Sequence, residues 1–569
     1  MSGKPDLVVR GGTIADGTGA PMYESDIAIA DGKILNIGKV IDSGLEEIDA
    51  RGLLVTPGFV DIHTHYDAQA TWANRLTPSS CNGVTTVLMG NCGVGFAPVR
   101  PEHHDMLISL MEGVEDIPEV VMREGLPWNW ASFPDYLDAL SHRCYDVDIG
   151  TQVPHAALRV FVMGERGARR EDATPDDCEA MAKLTAEALS SGAFGFSTSR
   201  LLQHRTAEGE PIPSYGAAEA ELTAIVDAAR QVGHGWLQWV GDYGTQIDEE
   251  FGLLTRLARR SGLPVTLTLL QKNSFPNQWR DLLTRIENAN ADGLKITGQV
   301  RGRPTSTLMG FELSENPFLG CPSWQELAPL NLENRLKILH NPSFRARILS
   351  EPGGSPEQQK RLRDWDWLFE FGDKPDYEPE PNTSVGAIAR RLKKDPASIA
   401  YDIMLQNDGR GILYHPMTNY SDGSMSAVFE MLGHPNTLIG LGDGGAHVGI
   451  MCDATDMAHT LTHWTRDRQR GPKQPIEAMV RRLTFANAAA IGLQDRGLIQ
   501  MGMQADINII DYDSLNLKRP EVVYDLPAGG KRIMQQSNGF KVTMLKGQPV
   551  WREGQPTDAL PGRLLRAGM

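Results

Sequence analysis

Apolar residues come in short runs along the middle of the chain, separated by stretches of helical periodicity. Eight runs read as buried parallel strands: LVTPGFVDIH (54–63), TTVLMGN (85–91), VDIGTQV (147–153), AFGFST (193–198), GWLQWV (235–240), PVTLTLL (264–270), KITGQV (295–300) and TLIGLGD (437–443). Unbroken apolar runs, rather than alternating ones, are what a sheet covered on both faces requires. Helices with legible ends fall between several of them. Thr174, Pro175, Asp176 and Asp177 supply an N-cap, a first-turn proline and early acids, and Gly192 closes that segment. Leu222, Ile225, Val226, Ala229 and Val232 form one apolar stripe that stops at Gly233. Eight strands alternating with helices predict an α/β chain built on a (β/α)₈ TIM barrel rather than an open sheet.

The ends have a different texture. LVVRGGTIADG, SDIAIADGKILNIGK and EEIDARGLLV at the start, and ADINIIDYD and FKVTMLKGQPVWREG near the finish, are short strands joined by turns. Gly17 and Gly19 belong to such a turn; a dinucleotide loop needs a third glycine and a following helix. The expected organisation is a small composite β-sandwich from 1–53 and 501–569, a barrel from 54–300 and 436–500, and a long insertion at 301–435 before the last barrel strand. The insertion carries EPGGSPEQQKRLRDWDWLFEFGDKPDYEPEPNTS, too rich in Pro, Gly and charge for a barrel unit, and reads as a lid or specificity segment over the active-site end.

Composition narrows the function. Of 569 residues, 41% are hydrophobic and 22% charged, a globular balance. A net charge of −17, from 55 basic against 72 acidic residues, excludes the basic surface that nucleic acid or an anionic membrane needs. The six cysteines are scattered without a CxxC pair, no run is long enough to span a bilayer, and the first residues lack a secretory apolar stretch. These features predict a cytoplasmic protein with reduced thiols and a small-molecule substrate. Association of like chains is left open.

The chemistry concentrates in three segments. In PGFVDIHTHYD, His63 and His65 alternate along a strand and project to one face. Two imidazoles at the C-terminal end of a barrel strand can bind a divalent metal. In GVTTVLMGNCGVGFAP, Cys92 follows an apolar strand between Asn91 and Gly93; beside a metal its thiol would ionise and become a ligand. In TLIGLGDGGAH, Asp443 ends the last strand, where a carboxylate can ligate the metal and accept a proton from water as general base. His155 and His447 are the other histidines best placed to contact substrate or complete the metal shell. Arg200 and Lys272 follow strand ends and offer cations to an anionic group, whereas His204, His234 and His415, taken alone, read as structural or surface residues.

Together these segments resemble the amidohydrolase superfamily and, within it, the N-acyl-D-amino-acid deacylase (D-aminoacylase) group. The narrower likeness lies in GVTTVLMGNCGVGFAP and in VPHAALRVFVMGERGARREDATPDDCEAMAKLTAEALSSGAFGFST, the broader one in PGFVDIHTH and ANAAAIGLQDRGLIQMGMQADINIIDYD. The resemblance implies the barrel with its composite β-domain, and it implies that Cys92 is a metal ligand. It also implies histidines ending the fifth and sixth strands, which this chain lacks: Trp239 or a neighbour stands at the first, Leu269 at the second, and Gln271 where a substrate-binding lysine is expected. VRGRPTS replaces a tyrosine-bearing segment, with Arg301 and Arg303 as replacement cations, and GAHVGIM replaces an arginine-bearing one.

The expected activity is metal-dependent hydrolysis of an amide or related C–N bond, with one zinc per chain held by His63, His65, Cys92 and Asp443, and with Asp443 as the catalytic base. Hydrolysis of a lactone or cyclic imide, deamination on the same scaffold, and a non-catalytic protein of this fold are the alternatives.

Overall fold

A computed structural model describes residues 4–568; the outermost ends of the expected terminal domain, residues 1–3 and 569, lie outside the described residues. Eight short parallel strands stand side by side in chain order: Phe59–Asp61, Val84–Met89, Asp148–Thr151 continued by Val153–Pro154, Gly195–Ser199, Trp236–Val240, Val265–Thr268, Ile296–Val300 and Thr437–Ile439. The third strand is broken at Gln152; its first piece pairs with the second strand and its last with the fourth. The ring is drawn together between the first and eighth strands by the Asn487 amide, which donates to the carbonyls of Val60 (2.8 Å) and Ile439 (2.7 Å). Above them the Asp443 N–H donates to the His63 carbonyl at 3.0 Å, and the His65 N–H to the Gly444 carbonyl at 2.8 Å. This is the TIM-barrel arrangement, with a further β-domain beside it.

Local chemistry sets the helices around the ring. Pro175–Ser190 begins with a reciprocal capping box in which Thr174 and Asp177 satisfy each other's backbone N–H. Glu219–Val232 buries Leu222, Ile225, Val226 and Ala229 and ends where Gly233 turns left-handed at φ 87°.

The run 54–63 is two strands, not one. Leu54–Pro57 pairs with residues of both chain ends, whereas Phe59–Asp61 starts the barrel. The change of partner occurs at Gly58, where a Cβ would lie 2.2 Å from the Thr85 hydroxyl, so only glycine lets the strands approach. Nine strands from the two ends, from Leu7–Ile14 to Gln555–Pro556, form one sheet, while Asn516–Leu517 with Ser537–Asn538 and Glu521–Leu526 with Gly530–Met534 pair apart from it. Val9, Ile27, Ile29, Ile507, Ile509 and Met544 share its core.

The insertion has a core of its own. Phe311, Phe318, Trp324, Tyr401 and Met404 are buried together beneath short helices and a three-stranded antiparallel sheet. Its Pro-rich stretches start helices: Pro322, Pro342 and Pro356 each occupy a first helical position, where the missing N–H costs nothing. It is stitched to the barrel mouth by Leu308 N–H to Ile450 carbonyl (2.7 Å) and Asn419 N–H to Gln271 carbonyl (2.8 Å). Among the described residues no helix is long and apolar enough to cross a membrane.

Candidate metal centre

His63 and His65 leave the first barrel strand side by side, both buried, their rings 5.4 Å apart and edge-on. The Nδ1 of His63 lies 2.6 Å from Gln299 Oε1, on the seventh strand. An amide oxygen only accepts, so this contact puts the ring proton on Nδ1 and turns the lone pair of Nε2 toward the cluster. Cys92 sits in the turn after the second strand at φ 55°, its N–H donating to Gln238 Oε1 of the fifth strand at 2.9 Å. Its Sγ is 3.3 Å from His63 Nε2. Ligand atoms of His63, His65 and Cys92 all lie within 4.8 Å of one another, and among the described residues this is the one trio of its kind.

Asp443 closes the group from the eighth strand. Its Oδ1 is 3.4 Å from His63 Nε2 and 3.7 Å from His65 Nε2. The other oxygen, Oδ2, bonds Arg301, whose buried guanidinium also reaches Asp453 Oδ2 at 2.6 Å and the Leu441 carbonyl at 2.8 Å. Cys92, Leu441, Asp443 and His447 all adopt positive φ. Non-glycine residues in that region cost about 1–3 kcal/mol each and persist where the surroundings dictate them.

The electrostatics suit a cation. Burial draws His63 down to about 4, so its ring is neutral. Burial pushes Cys92 up to about 11, a thiol that an adjacent divalent ion would ionise. Burial also works against the Asp443 carboxylate, but Arg301 and the two histidines outweigh it and hold the group well below the usual carboxylate range. Burial works against a charge on His65, but Glu115, Asp443 and Cys92 outweigh it and hold the ring well above the ordinary value, so an ion would displace its proton. Two imidazoles, a potential thiolate and a permanent carboxylate form a mixed donor set that fits zinc.

Some neighbours were not legible in the sequence. Glu115, at the end of the helix His104–Glu115, places Oε1 3.2 Å from His65 Nδ1 and Oε2 3.7 Å from His447 Nε2. No motif surrounds it. Gln299 and Gln238 did carry a signal, each a polar residue inside an apolar strand. His204 hydrogen-bonds Ser199 Oγ through Nδ1 at 2.9 Å. Burial, then the charges of His447 and His65, pull it to about 3.

The remaining candidates divide. His155 is buried with both ring nitrogens engaged, by Thr198 Oγ1 at 2.8 Å and Glu221 Oε1 at 2.7 Å. Arg200 is taken up by Glu250 (2.9 Å) and the Ala217 carbonyl (2.7 Å). Arg301 is spent on Asp443 and Asp453; Arg303, buried, donates to the Cys452 carbonyl at 2.7 Å and stacks over Tyr377. His447 keeps about a quarter of its side chain exposed. Lys272 is half-buried, its pKa lowered by burial, and no carboxylate of the described residues lies within ion-pair distance of it. On the fifth and sixth strands Trp239 and Leu269 are buried apolar packing, and Gln271 is tied to Asp422 and Ser421 of the insertion.

Comparison with known proteins bears on this site. The model of the amidohydrolase family matches residues 46–551. The D-aminoacylase of Alcaligenes xylosoxydans xylosoxydans is 27% identical, over 98% of this chain and 97% of its own length. A solved D-aminoacylase structure, concerned with the role of its binuclear metal centre, superposes with a TM-score of 0.66 at 24% identity, covering 99% of this chain and all of the other. An N-acyl-D-glutamate deacylase of Bordetella bronchiseptica, complexed with zinc and a phosphonate inhibitor, gives 0.65 at 21% identity over 99% of this chain. At these identities the structural likeness is one of fold.

Proposed function

This chain belongs to the amidohydrolase family and is a metal-dependent hydrolase of C–N bonds; we propose that it works with a single divalent ion, zinc by preference, held by His63, His65, Cys92 and Asp443. The observation that carries the reading is the meeting of two imidazoles, a thiol and a carboxylate from three remote segments at one end of the barrel. A divalent ion there supplies Lewis acidity, polarising a substrate carbonyl and acidifying water near neutral pH. The chain's own residues do the rest. Arg301 occupies Asp443 Oδ2 and keeps the group charged, which leaves Oδ1 facing the imidazoles. Oδ1 takes the proton of the attacking water and returns it to the leaving nitrogen. One ion rather than two is our reading of the ends of the fifth and sixth strands, which carry Trp239 and Leu269 and no histidine.

The relatives act on N-acylated D-amino acids by name, and an N-acyl amino acid is the substrate class we propose. Arg301 is committed to Asp443 and Asp453 and Arg303 is wholly buried, so we take the half-buried Lys272 as the cation that receives a substrate carboxylate, with the partly exposed His447 beside it in the reading. Changing Lys272→Met should raise KM about tenfold for an N-acyl amino acid and leave a neutral amide unaffected. Equal effects on both would remove Lys272 from recognition. A panel that adds lactones, cyclic imides and aminated heterocycles separates amide hydrolysis from its neighbours on the scaffold.

The central test is Asp443→Asn. Turnover should fall at least about a thousandfold, the scale lost when a group acting in the transition state is removed, while circular dichroism stays that of the parent. Elemental analysis of the parent should give one metal per chain; a reproducible two would refute the mononuclear reading. The six free cysteines fit a reducing cytoplasm, and a small-molecule substrate is the one partner the reading needs; the number of chains that associate is for sedimentation to decide.

A further inference from the structure

Glu115 is a buried acid in an unfavourable place. It is the last residue of a twelve-residue helix and is 1% exposed. The carbonyls at a helix C-terminus carry partial negative charge, and burial removes the water that would offset an added anion. The chain then turns at Asp116 with φ 51°. Something must compensate, and the surroundings supply two histidines. His65 Nδ1 lies 3.2 Å from Glu115 Oε1, and His447 Nε2 lies 3.7 Å from Oε2. His65 Nδ1 and Glu115 Oε2 are buried without a hydrogen-bond partner, so the acid and the two histidines meet at ion-pair distance.

The backbone that carries this carboxylate is tied down. The His447 N–H donates to the Glu115 carbonyl, and the Gly449 N–H donates to Asp116 Oδ2 at 2.9 Å. The end of the helix is thereby fastened to the loop that follows Asp443. A carboxylate accepts and does not donate, so it favours the His65 tautomer with the proton on Nδ1. That leaves Nε2, 3.7 Å from Asp443 Oδ1, as the nitrogen whose proton an ion would displace. Gln299 holds His63 in the same sense at 2.6 Å. The two imidazoles therefore have separate holders, a neutral amide for one and a carboxylate for the other.

We infer that Glu115 is a positioning residue of the metal centre: it fixes His65 in the tautomer that presents Nε2 to the ion and ties the His447 loop to the same point. The inference rests on the reading that His65 is a metal ligand. An outer carboxylate on a ligating histidine typically governs metal affinity by about 10–100-fold.

The test measures zinc affinity of the full chain by competition with a chelator, together with the visible spectrum of the cobalt-substituted protein. Glu115→Ala should weaken zinc binding about 10–100-fold and shift the cobalt bands. Glu115→Gln, which keeps an acceptor and the side-chain shape, should fall between it and the parent. Should Glu115→Ala fail to fold, Glu115→Gln decides alone through several-fold weaker binding. Parent-like zinc affinity and an unshifted cobalt spectrum in the folded variants would overturn the inference while leaving the metal centre intact. A parent chain that binds no zinc, or a His65→Ala variant that binds it as tightly as the parent, would overturn the underlying reading and this inference with it.

Discussion

The two sides of the barrel mouth are built on opposite principles. Around the first, second and eighth strands, polar groups are crowded, buried and held by partners distant in sequence: Gln299 on His63, Gln238 on Cys92, Arg301 on Asp443. Three residues of that side, Cys92, Leu441 and Asp443, sit at positive φ. Across the ring, Trp239 of the fifth strand, which alternation turns to the face opposite Gln238, and Leu269 just after the sixth are buried apolar packing; a Cβ on Gly298 would come within 2.8 Å of Leu269. One side holds polar groups on strained backbone, and the other is shaped by packing. What separates them is whether the local rules of folding are broken, not how deeply the residues are buried.

The largest effect should come from the strained side. His63→Ala removes an imidazole and strands the Gln299 oxygen, and we expect it to abolish metal binding and lower turnover at least about a thousandfold. The loss of bound metal should appear as lowered stability, because an ion at a hundred times its Kd contributes about 2.7 kcal/mol to the folded state. Elemental analysis and thermal unfolding with and without added zinc check both halves. A variant that retains stoichiometric zinc would mean that the ion sits elsewhere.

Leu269→Ala addresses the other side. Its side chain is fully buried, and truncation should cost about 2–5 kcal/mol through lost burial and the cavity left behind. Metal content should remain that of the parent, with turnover changed only as far as stability requires. A loss of zinc with little change in stability would make the sixth strand part of the metal centre after all and erase the contrast.

How far the sequence announced this contrast depends on the range of the interactions. The eight barrel strands were legible because each is a short apolar run, a signal that needs no knowledge of neighbours. His63 and His65 were legible because strand periodicity alone puts them on one face, and the Asp443 position because a carboxylate in a glycine-rich turn at a strand end is conspicuous. The split of 54–63 at Gly58 was not, since it depends on Thr85 lying opposite. Nor was the core of the insertion, whose aromatic residues are spread from Phe311 to Tyr401 and show no period. Arg301 drew notice as a cation, but its commitment to Asp443 joins residues 142 positions apart, and Glu115 reaches His447 across more than twice that gap. Pairings of that span leave no trace in local pattern.

His155 sharpens the boundary between the two kinds of buried histidine, with the smallest expected effect on activity. Unlike His63, it has no free nitrogen: Thr198 and Glu221 take both, and Glu221 in turn bonds Arg159. Burial lowers its pKa below the ordinary 6.5, with Glu221 opposing. Below that ordinary value the unfolded chain takes up a proton that the folded chain refuses. Its contribution to stability is therefore present above about pH 6.5 and is lost as the pH falls toward the depressed folded value. His155→Gln deletes the titrating group, so the acid side of its stability curve should be flatter than the parent's, while zinc content and kcat/KM at neutral pH stay within about threefold, the scale of a position that touches neither ion nor substrate. Urea unfolding between pH 5 and about 8 reads the slope. If His155→Gln instead lost zinc or most of its kcat/KM with its fold intact, a histidine saturated by its neighbours would belong to the reacting side, and full engagement of both ring nitrogens would no longer serve to tell structural histidines from functional ones.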